Sequence, residues 1–201
     1  MGRIGQYAKR FGFAGGELGP PDGVERQTYE AEFGDDGAFS GYGSTVFSPN
    51  GKLLASAVQI QGEWADDSIL IAEVPGLQEQ TVAQAQGHIT SLSWTPDGQG
   101  IVYCAAGQAY RLAVDTRESE PLTAAAEICA CHRYRPLCLC FSSWLKNSAK
   151  GQLFLLDLNR TSVYDEHPAE GIVHCRWIAD GSKAYAVSQD GLAYIYEPPL
   201  I

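Results

Sequence analysis

The chain has 201 residues, of which 45% are hydrophobic and 19% are charged, so it can bury the core of one domain and is too apolar for a wholly disordered protein. Its 14 Lys and Arg stand against 24 Asp and Glu, and the net charge of -10 repels a phosphate backbone, which argues against nucleic acid as a partner. No run of about 18 apolar residues exists, and the N-terminus lacks the apolar core of a secretory signal. We therefore expect a cytoplasmic protein without a membrane span.

Residues 1–40 are predicted to form an N-terminal extension. Within it, Ile4, Tyr7 and Phe11 recur at helical spacing next to basic residues, which predicts a short amphipathic helix that docks on a partner or a membrane surface. Interspersed glycines weaken a helix, so a tail that becomes ordered only on binding is the alternative. In either form Ile4, Tyr7 and Phe11 are candidate partner-binding residues. Further along, residues 27–33 alternate apolar and polar side chains and are predicted to form a strand.

The rest of the chain repeats one hairpin pattern. Each copy has an aromatic residue that ends a strand, a turn rich in Pro, Asn, Asp and Gly, and an apolar strand that leaves the turn. Three clear copies have their turns at 47–51, 94–98 and 177–181, followed by strands at 53–57, 101–105 and 184–188. A worn copy without the Asp-Gly pair is predicted at 128–141, where Arg135-Pro136 forms the turn.

Further strands complete each repeat. Third strands are predicted at 68–74, 109–114, 152–158 and 192–197, and fourth strands at 80–85 and 120–124. Four strands at a period of roughly 40 to 45 residues is typical of a propeller blade. The sequence therefore predicts an all-β fold, a β-propeller of about four blades, each a four-stranded antiparallel sheet. The propeller is predicted to span residues 41–201, with blades at about 41–85, 86–125, 126–167 and 168–201.

The second repeat resembles a known superfamily. Gly87-His88, followed by residues 92–98, is similar to the Gly-His and Ser-Pro-Asp-Gly elements of WD repeats. Residues 110–115, running on to 121–123, resemble the blade ending of the WD-like repeats of Tol-type and peptidase propellers. The resemblance covers about residues 40 to 198. It implies a rigid propeller whose loops and central face bind protein.

The last repeat raises the question of how the fold closes. Its third strand ends at 197, which leaves no outer strand, and an exposed strand edge invites aggregation. We expect residues 27–33 to pair there as a closing strand. The four blades then close as a small ring, the favoured form, or make an open arc that a partner or a second copy completes.

Four of the six cysteines flank the worn turn. Alternation places Cys129 with Cys131, and Cys138 with Cys140, on one face of a hairpin, so four sulfurs can converge there. A tetrahedral zinc site is one interpretation, but a single residue between paired cysteines suits a zinc knuckle poorly. Core packing of reduced thiols is the favoured interpretation. No metal, cofactor or catalytic residue is predicted.

Functional motifs are few. The chain contains no Gly-x-Ser-x-Gly elbow, dinucleotide fingerprint or phosphate-binding loop,. Residues 129–152 include Arg133 and Arg135 but no carboxylate, which indicates either a surface for an acidic protein or a solvated face. We expect a non-catalytic protein-interaction scaffold that binds protein partners within a larger complex. The alternatives are an accessory propeller of a peptidase or hydrolase system and a metal or redox sensor built on the cysteine hairpin.

Overall fold

The computed structural model of the chain describes residues 3–7, 40–60, 66–74, 79–142 and 151–198. These residues form β-strands and turns, with sixteen strands arranged as four antiparallel sheets of four strands. The arrangement is that of propeller blades, as the sequence predicts. In the described part of the chain, no helix has the length and apolar character needed to cross a bilayer.

The strands follow one another in chain order, apart from the first. Strand β1 is Arg3–Tyr7. Blade 1 contains β2 (Ser40–Phe47), β3 (Leu53–Ile60), β4 (Ser68–Glu73) and β5 (Glu79–Gln84). Blade 2 contains β6 (Ile89–Trp94), β7 (Gly100–Ala105), β8 (Gln108–Ala113) and β9 (Ser119–Ala125). Blade 3 contains β10 (Ile128–Cys131), β11 (Leu137–Ser142), β12 (Gln152–Asp157) and β13 (Ser162–Pro168). Blade 4 contains β14 (Ile172–Trp177), β15 (Ala184–Ser188) and β16 (Ala193–Glu197), and β1 completes it in the order β1-β16-β15-β14.

The repeated turns explain the Asn/Asp-Gly pattern of the sequence. In blades 1, 2 and 4 a side-chain oxygen accepts a hydrogen bond from the backbone N–H two residues later, and a glycine with positive φ follows it directly. The oxygens belong to Asn50, Asp97 and Asp180, at 2.8 to 3.0 Å from the nitrogen, and the glycines are Gly51, Gly98 and Gly181. Each hairpin therefore starts from a turn that is specified locally.

Three buried clusters join neighbouring blades. One contains Ile69 and Ile101 and joins blades 1 and 2, and another contains Val102 and joins blades 2 and 3. The last contains Phe141 and Tyr196 and joins blades 3 and 4. Within the described ranges no corresponding cluster joins blade 4 to blade 1. The sequence analysis favours a closed ring over an open arc, whereas the described residues form an arc with two end faces.

Strand β1 fills the outer edge of blade 4. It pairs antiparallel with β16, and the register sets Arg3 opposite Glu197 and Tyr7 opposite Ala193. The helical alternative for Ile4 and Tyr7 is therefore wrong, because the ladder groups left open on β16 hold this segment extended. The edge position expected for residues 27–33 belongs to β1. Residues 27–33 and Phe11 lie outside the described residues.

Candidate functional site

An open cavity lies at the centre of the arc, where the four inner strands converge. Its volume is 1210 Å³, and its lining comes from the end of β2, from most of β6, β10 and β14, from the turns that follow these strands, and from Tyr185 of β15. The inner strand is the first strand of each blade, and β2 packs on β6, β6 on β10, and β10 on β14. The blade arrangement therefore brings together side chains that are far apart in the sequence.

Serine hydroxyls of the cavity floor hold adjacent inner strands together. Ser91 Oγ donates to the Cys129 carbonyl at 3.0 Å and accepts from the Cys129 N–H at 3.1 Å. Ser93 Oγ accepts from the Cys131 N–H at 2.9 Å. Because these hydroxyls bind backbone groups of the next blade, they serve the packing of blades 2 and 3.

The charged side chains of the cavity lining have one sign. Arg133 and Arg176 are exposed and line the cavity together with His132 and His174, and none of the lining residues described is Asp or Glu. This is a local excess of positive charge on a chain whose net charge is -10. A concave surface lined by one sign of charge concentrates ligands of the opposite sign. The cavity is therefore suited to an acidic ligand.

The loop between β10 and β11 presents the basic side chain predicted at Arg133. The Arg133 guanidinium carbon lies 5.6 Å from the centre of the Tyr134 ring, a cation–π arrangement,. Tyr134 is 63% exposed. Arg135 belongs to the same loop and is half-buried, but it does not line the cavity. Of the two predicted arginines, Arg133 therefore faces the candidate site.

A buried histidine fixes this loop. His132 Nδ1 accepts hydrogen bonds from the backbone N–H groups of Tyr134 at 2.9 Å and Arg135 at 3.1 Å. Nε2 therefore carries the proton and donates to the Gly181 carbonyl of blade 4 at 3.0 Å, while the ring packs edge-on against Trp177. Burial of the imidazole lowers the pKa of His132 below its usual 6.5; the Gly181 carbonyl opposes this shift and the charge of Arg135 adds to it. His132 is therefore a neutral imidazole that connects blades 3 and 4.

The predicted N-terminal residues lie apart from the cavity. Ile4 and Tyr7 are on β1, at the outer edge of blade 4, whereas β14 is the inner strand of that blade. At about 4.8 Å between neighbouring strands, β1 lies roughly 14 Å from β14. The structure therefore does not bring Ile4 and Tyr7 together with Arg133 and Arg135. Phe11 is not among the described residues.

The cysteine hairpin gathers its sulfurs on one face. The register sets Cys129 opposite Cys140 and Cys131 opposite Cys138. The sulfurs of Cys131 and Cys138 are 3.5 Å apart, and those of Cys138 and Cys140 are 3.8 Å apart. Cys104 of blade 2 joins the same cluster. Cys131 is partly exposed and also lines the cavity.

The thiols of this cluster lie in a packed core. Burial and hydrogen bonds with neighbouring thiols raise the pKa of Cys138 well above its usual range, whereas hydrogen bonds from Cys104 and Cys138 lower the pKa of Cys129 well below it. A metal ligand or nucleophile must be a thiolate. Among the described residues, no group of three or more His, Cys, Asp or Glu is placed to hold a metal ion. The sulfurs pack with Val102 and Phe154 at the boundary between blades 2 and 3.

Sequence reasoning missed an acidic residue that joins blades 1 and 2. Asp67 is completely buried, and its carboxylate accepts from the Ile89 N–H at 2.7 Å and contacts His88 Nδ1 at 3.2 Å. Asp66 accepts from the Gly87 N–H at 2.8 Å. These carboxylates anchor the start of blade 2. The available signal is the Gly-His pair, whose resemblance to WD repeats marks the start of a blade.

Comparisons with known proteins support the fold. No protein-family model matches the chain, and no curated protein sequence matches it. The structure is similar to the crystal structure of TolB from Acinetobacter baumannii, with a TM-score of 0.56 and 20% sequence identity over 83% of this chain. The chain spans 40% of the length of that TolB chain. The protein thus has a β-propeller fold similar to that of TolB.

Proposed function

We propose that this protein is a non-catalytic protein-interaction module whose central cavity binds an acidic segment of a partner protein. The single observation that carries the proposal is the sign of the charge in the cavity, where Arg133 and Arg176 are exposed and carboxylates are absent from the described lining. The rest of the chain is strongly acidic. A partner segment with Asp and Glu is therefore drawn to this face.

Exposed apolar side chains around the cavity support a protein ligand. Phe47, Val173 and Ile178 line the cavity and are exposed, and Tyr134 lies beside Arg133 at its rim. Large exposed apolar groups next to Arg are typical of the few residues that dominate binding energy at protein interfaces. An acidic segment that also contains aromatic or aliphatic residues fits this surface best.

The blades hold this surface in a fixed shape. Trp94 Nε1 donates to the Val46 carbonyl at 3.1 Å, and Trp177 Nε1 donates to the Ala130 carbonyl at 2.8 Å. Each bond joins the inner strands of neighbouring blades close to the cavity. A preorganised surface loses less conformational entropy on binding. We further propose that the protein acts in the cytoplasm as a subunit of a larger complex.

The experiment that tests this function uses a matched pair of short peptides. A fluorescein-labelled peptide rich in Glu and Tyr is titrated with the protein by fluorescence anisotropy, next to a peptide in which Lys replaces Glu. We expect binding of the acidic peptide alone, weakening as salt is added. Arg133→Glu is expected to weaken it about tenfold.

Arg160→Glu is the matched control. Its side chain is 78% exposed and lies outside the cavity lining, so it changes the net charge equally and should leave the affinity unchanged. Equal binding of the two peptides, or an equal loss in both variants, would show that the cavity does not recognise acidic segments.

A further inference from the structure

The four blades can be aligned residue by residue at their first hairpins. In each blade the backbone N–H at the start of the turn donates to the carbonyl five residues later. These bonds run from Ser48 to Leu53, Thr95 to Gly100, His132 to Leu137 and Ile178 to Lys183. The last residue of each inner strand therefore occupies one equivalent position, held by Phe47, Trp94, Cys131 and Trp177.

In blades 2, 3 and 4 this position contacts the preceding blade. The indoles of Trp94 and Trp177 donate to the carbonyls of Val46 and Ala130. The Cys131 sulfur lies 4.0 Å from the Ser93 carbonyl. All three acceptors stand one residue before the equivalent position in the blade that precedes. The contact is a repeated element of blade-to-blade packing.

Blade 1 has this element without a blade to receive it. Phe47 is 64% exposed, whereas Trp94 and Trp177 are buried. Leu54 is partly exposed, whereas its equivalents Ile101 and Ala184 are completely buried. The outer face of blade 1 is therefore built as a blade-to-blade contact surface. In the described part of the chain no blade covers it.

Blade 4 has the complementary face. Tyr185 is equivalent to Ala55, Val102 and Leu139, which are buried against the following blade in blades 1, 2 and 3. Tyr185 itself is only half-buried. Val187 is likewise half-buried, whereas its equivalents Ala57, Cys104 and Phe141 are buried. Arg176 is equivalent to Val46, so its backbone carbonyl occupies the acceptor position that Val46 has in blade 1. The outer face of blade 4 is built to receive a following blade.

We propose that a second copy of this chain supplies both missing contacts, with blade 1 of each copy packed on blade 4 of the other. Within one chain, the same two kinds of blade face already pack together three times, between blades 1 and 2, 2 and 3, and 3 and 4. The contact between copies would repeat this packing. Phe47 of one copy would lie on the backbone at Arg176 of its partner. Two copies that join head to tail twice form a closed ring of eight blades, within the usual range of about four to eight. This inference shares Phe47 and Arg176 with the proposed function, but it does not require that the cavity bind a peptide.

Complementation between two variants tests the head-to-tail arrangement. Phe47→Lys places a charge on the blade 1 face, and Val187→Lys places one on the blade 4 face. By sedimentation equilibrium we expect the unaltered chain to have the mass of two copies and each variant to have the mass of one. An equimolar mixture of the variants should recover a two-copy species, because the blade 1 face of the Val187 variant and the blade 4 face of the Phe47 variant are both intact.

A control variant and circular dichroism complete the experiment. Tyr164→Lys changes an aromatic residue that is 44% exposed on β13, away from both end faces, and should keep the mass of two copies. Circular dichroism selects variants that retain the fold, and Tyr185→Lys replaces Val187→Lys if the latter unfolds. A monomeric unaltered chain, an assembly larger than two copies, or two folded variants that do not complement each other would overturn the proposal. None of these results depends on peptide binding, so the failure of one proposal is distinct from that of the other.

Discussion

The turns of blade 2 and blade 3 occupy the same position in their blades but are held by different side chains. In blade 2, Thr95 Oγ1 accepts from the Gly100 N–H at 2.9 Å, and Asp97 Oδ1 accepts from the Gln99 N–H at 3.0 Å. In blade 3, His132 caps the turn with Nδ1 and reaches blade 4 with Nε2. The blade 2 turn is held by side chains within a few residues of it in the sequence, whereas the blade 3 turn depends on a residue that is also bonded to blade 4. A repeat that loses its Asp-Gly pair can thus replace local bonds with a bond between blades.

The largest effect is expected from removing the histidine. His132→Ala leaves the Gly181 carbonyl and two backbone N–H groups without their partner and opens a cavity beside Trp177. We expect the free energy of unfolding to fall by about 3 to 4 kcal/mol. Asp97→Ala removes local bonds at an exposed turn and should cost only about 1 kcal/mol. Urea denaturation of both variants measures the difference, and an equal loss would contradict the contrast between the two turns.

Gly181, whose carbonyl accepts the hydrogen bond from His132, provides a second test of the difference between the two turns. A Cβ at Gly181 would lie 2.6 Å from ring atoms of His132, and the backbone φ is +73°. Gly191 has φ +83° with nothing within 4 Å of a Cβ. We expect Gly191→Ala to cost about 1 kcal/mol through backbone strain alone and Gly181→Ala to cost about 2 to 3 kcal/mol.

The His132→Ala background is the control for Gly181→Ala. The extra cost of Gly181→Ala should disappear there, since the imidazole is gone. If it persists in a double-mutant cycle, the clash with His132 is not its cause.

The smallest effect concerns pH. Burial holds the pKa of His132 below 6.5 in the folded chain, so below pH 6.5 the unfolded chain binds the proton more readily. The contribution of His132 is complete above pH 6.5 and is lost as the pH falls through the folded pKa. We expect the free energy of unfolding to decrease as the pH falls below 6.5, by less than the two substitutions above cost. His132→Gln should show a smaller slope in urea denaturation at several pH values, and identical slopes would exclude His132 as the titrating group.

Much of the fold is visible in the sequence because the turns are local. The Asn/Asp-Gly turns mark three hairpins, and the second strands of blades 2 and 3, β7 and β11, are apolar because they are buried on both faces. Strand β13 carries no such signal, since most of its residues are exposed. Strand β1 was not predicted because its partner, β16, lies at the other end of the chain. Local composition gives no information on such a pairing.

The candidate site was only partly visible. Arg133 belongs to a basic segment without carboxylates, which composition alone reveals. Arg176 and His174 join it only after the inner strands are placed side by side. Asp67 carries no local signal, because its role depends on backbone groups of the next blade. Aligning the ends of the inner strands would have found Arg176.

Three boundaries for four blades make the members of the arc unequal. Blades 2 and 3 each pack against two neighbouring blades, whereas blades 1 and 4 each pack against one. Because the blades are stabilised by contacts with their neighbours, blades 1 and 4 unfold locally at a lower free energy than blades 2 and 3. Any partner that bridges the two ends therefore acts on the cooperativity of the whole molecule. With both ends covered, the four blades unfold together instead of the terminal blades opening first. Binding at the ends therefore also makes the inner strands that line the central cavity more rigid.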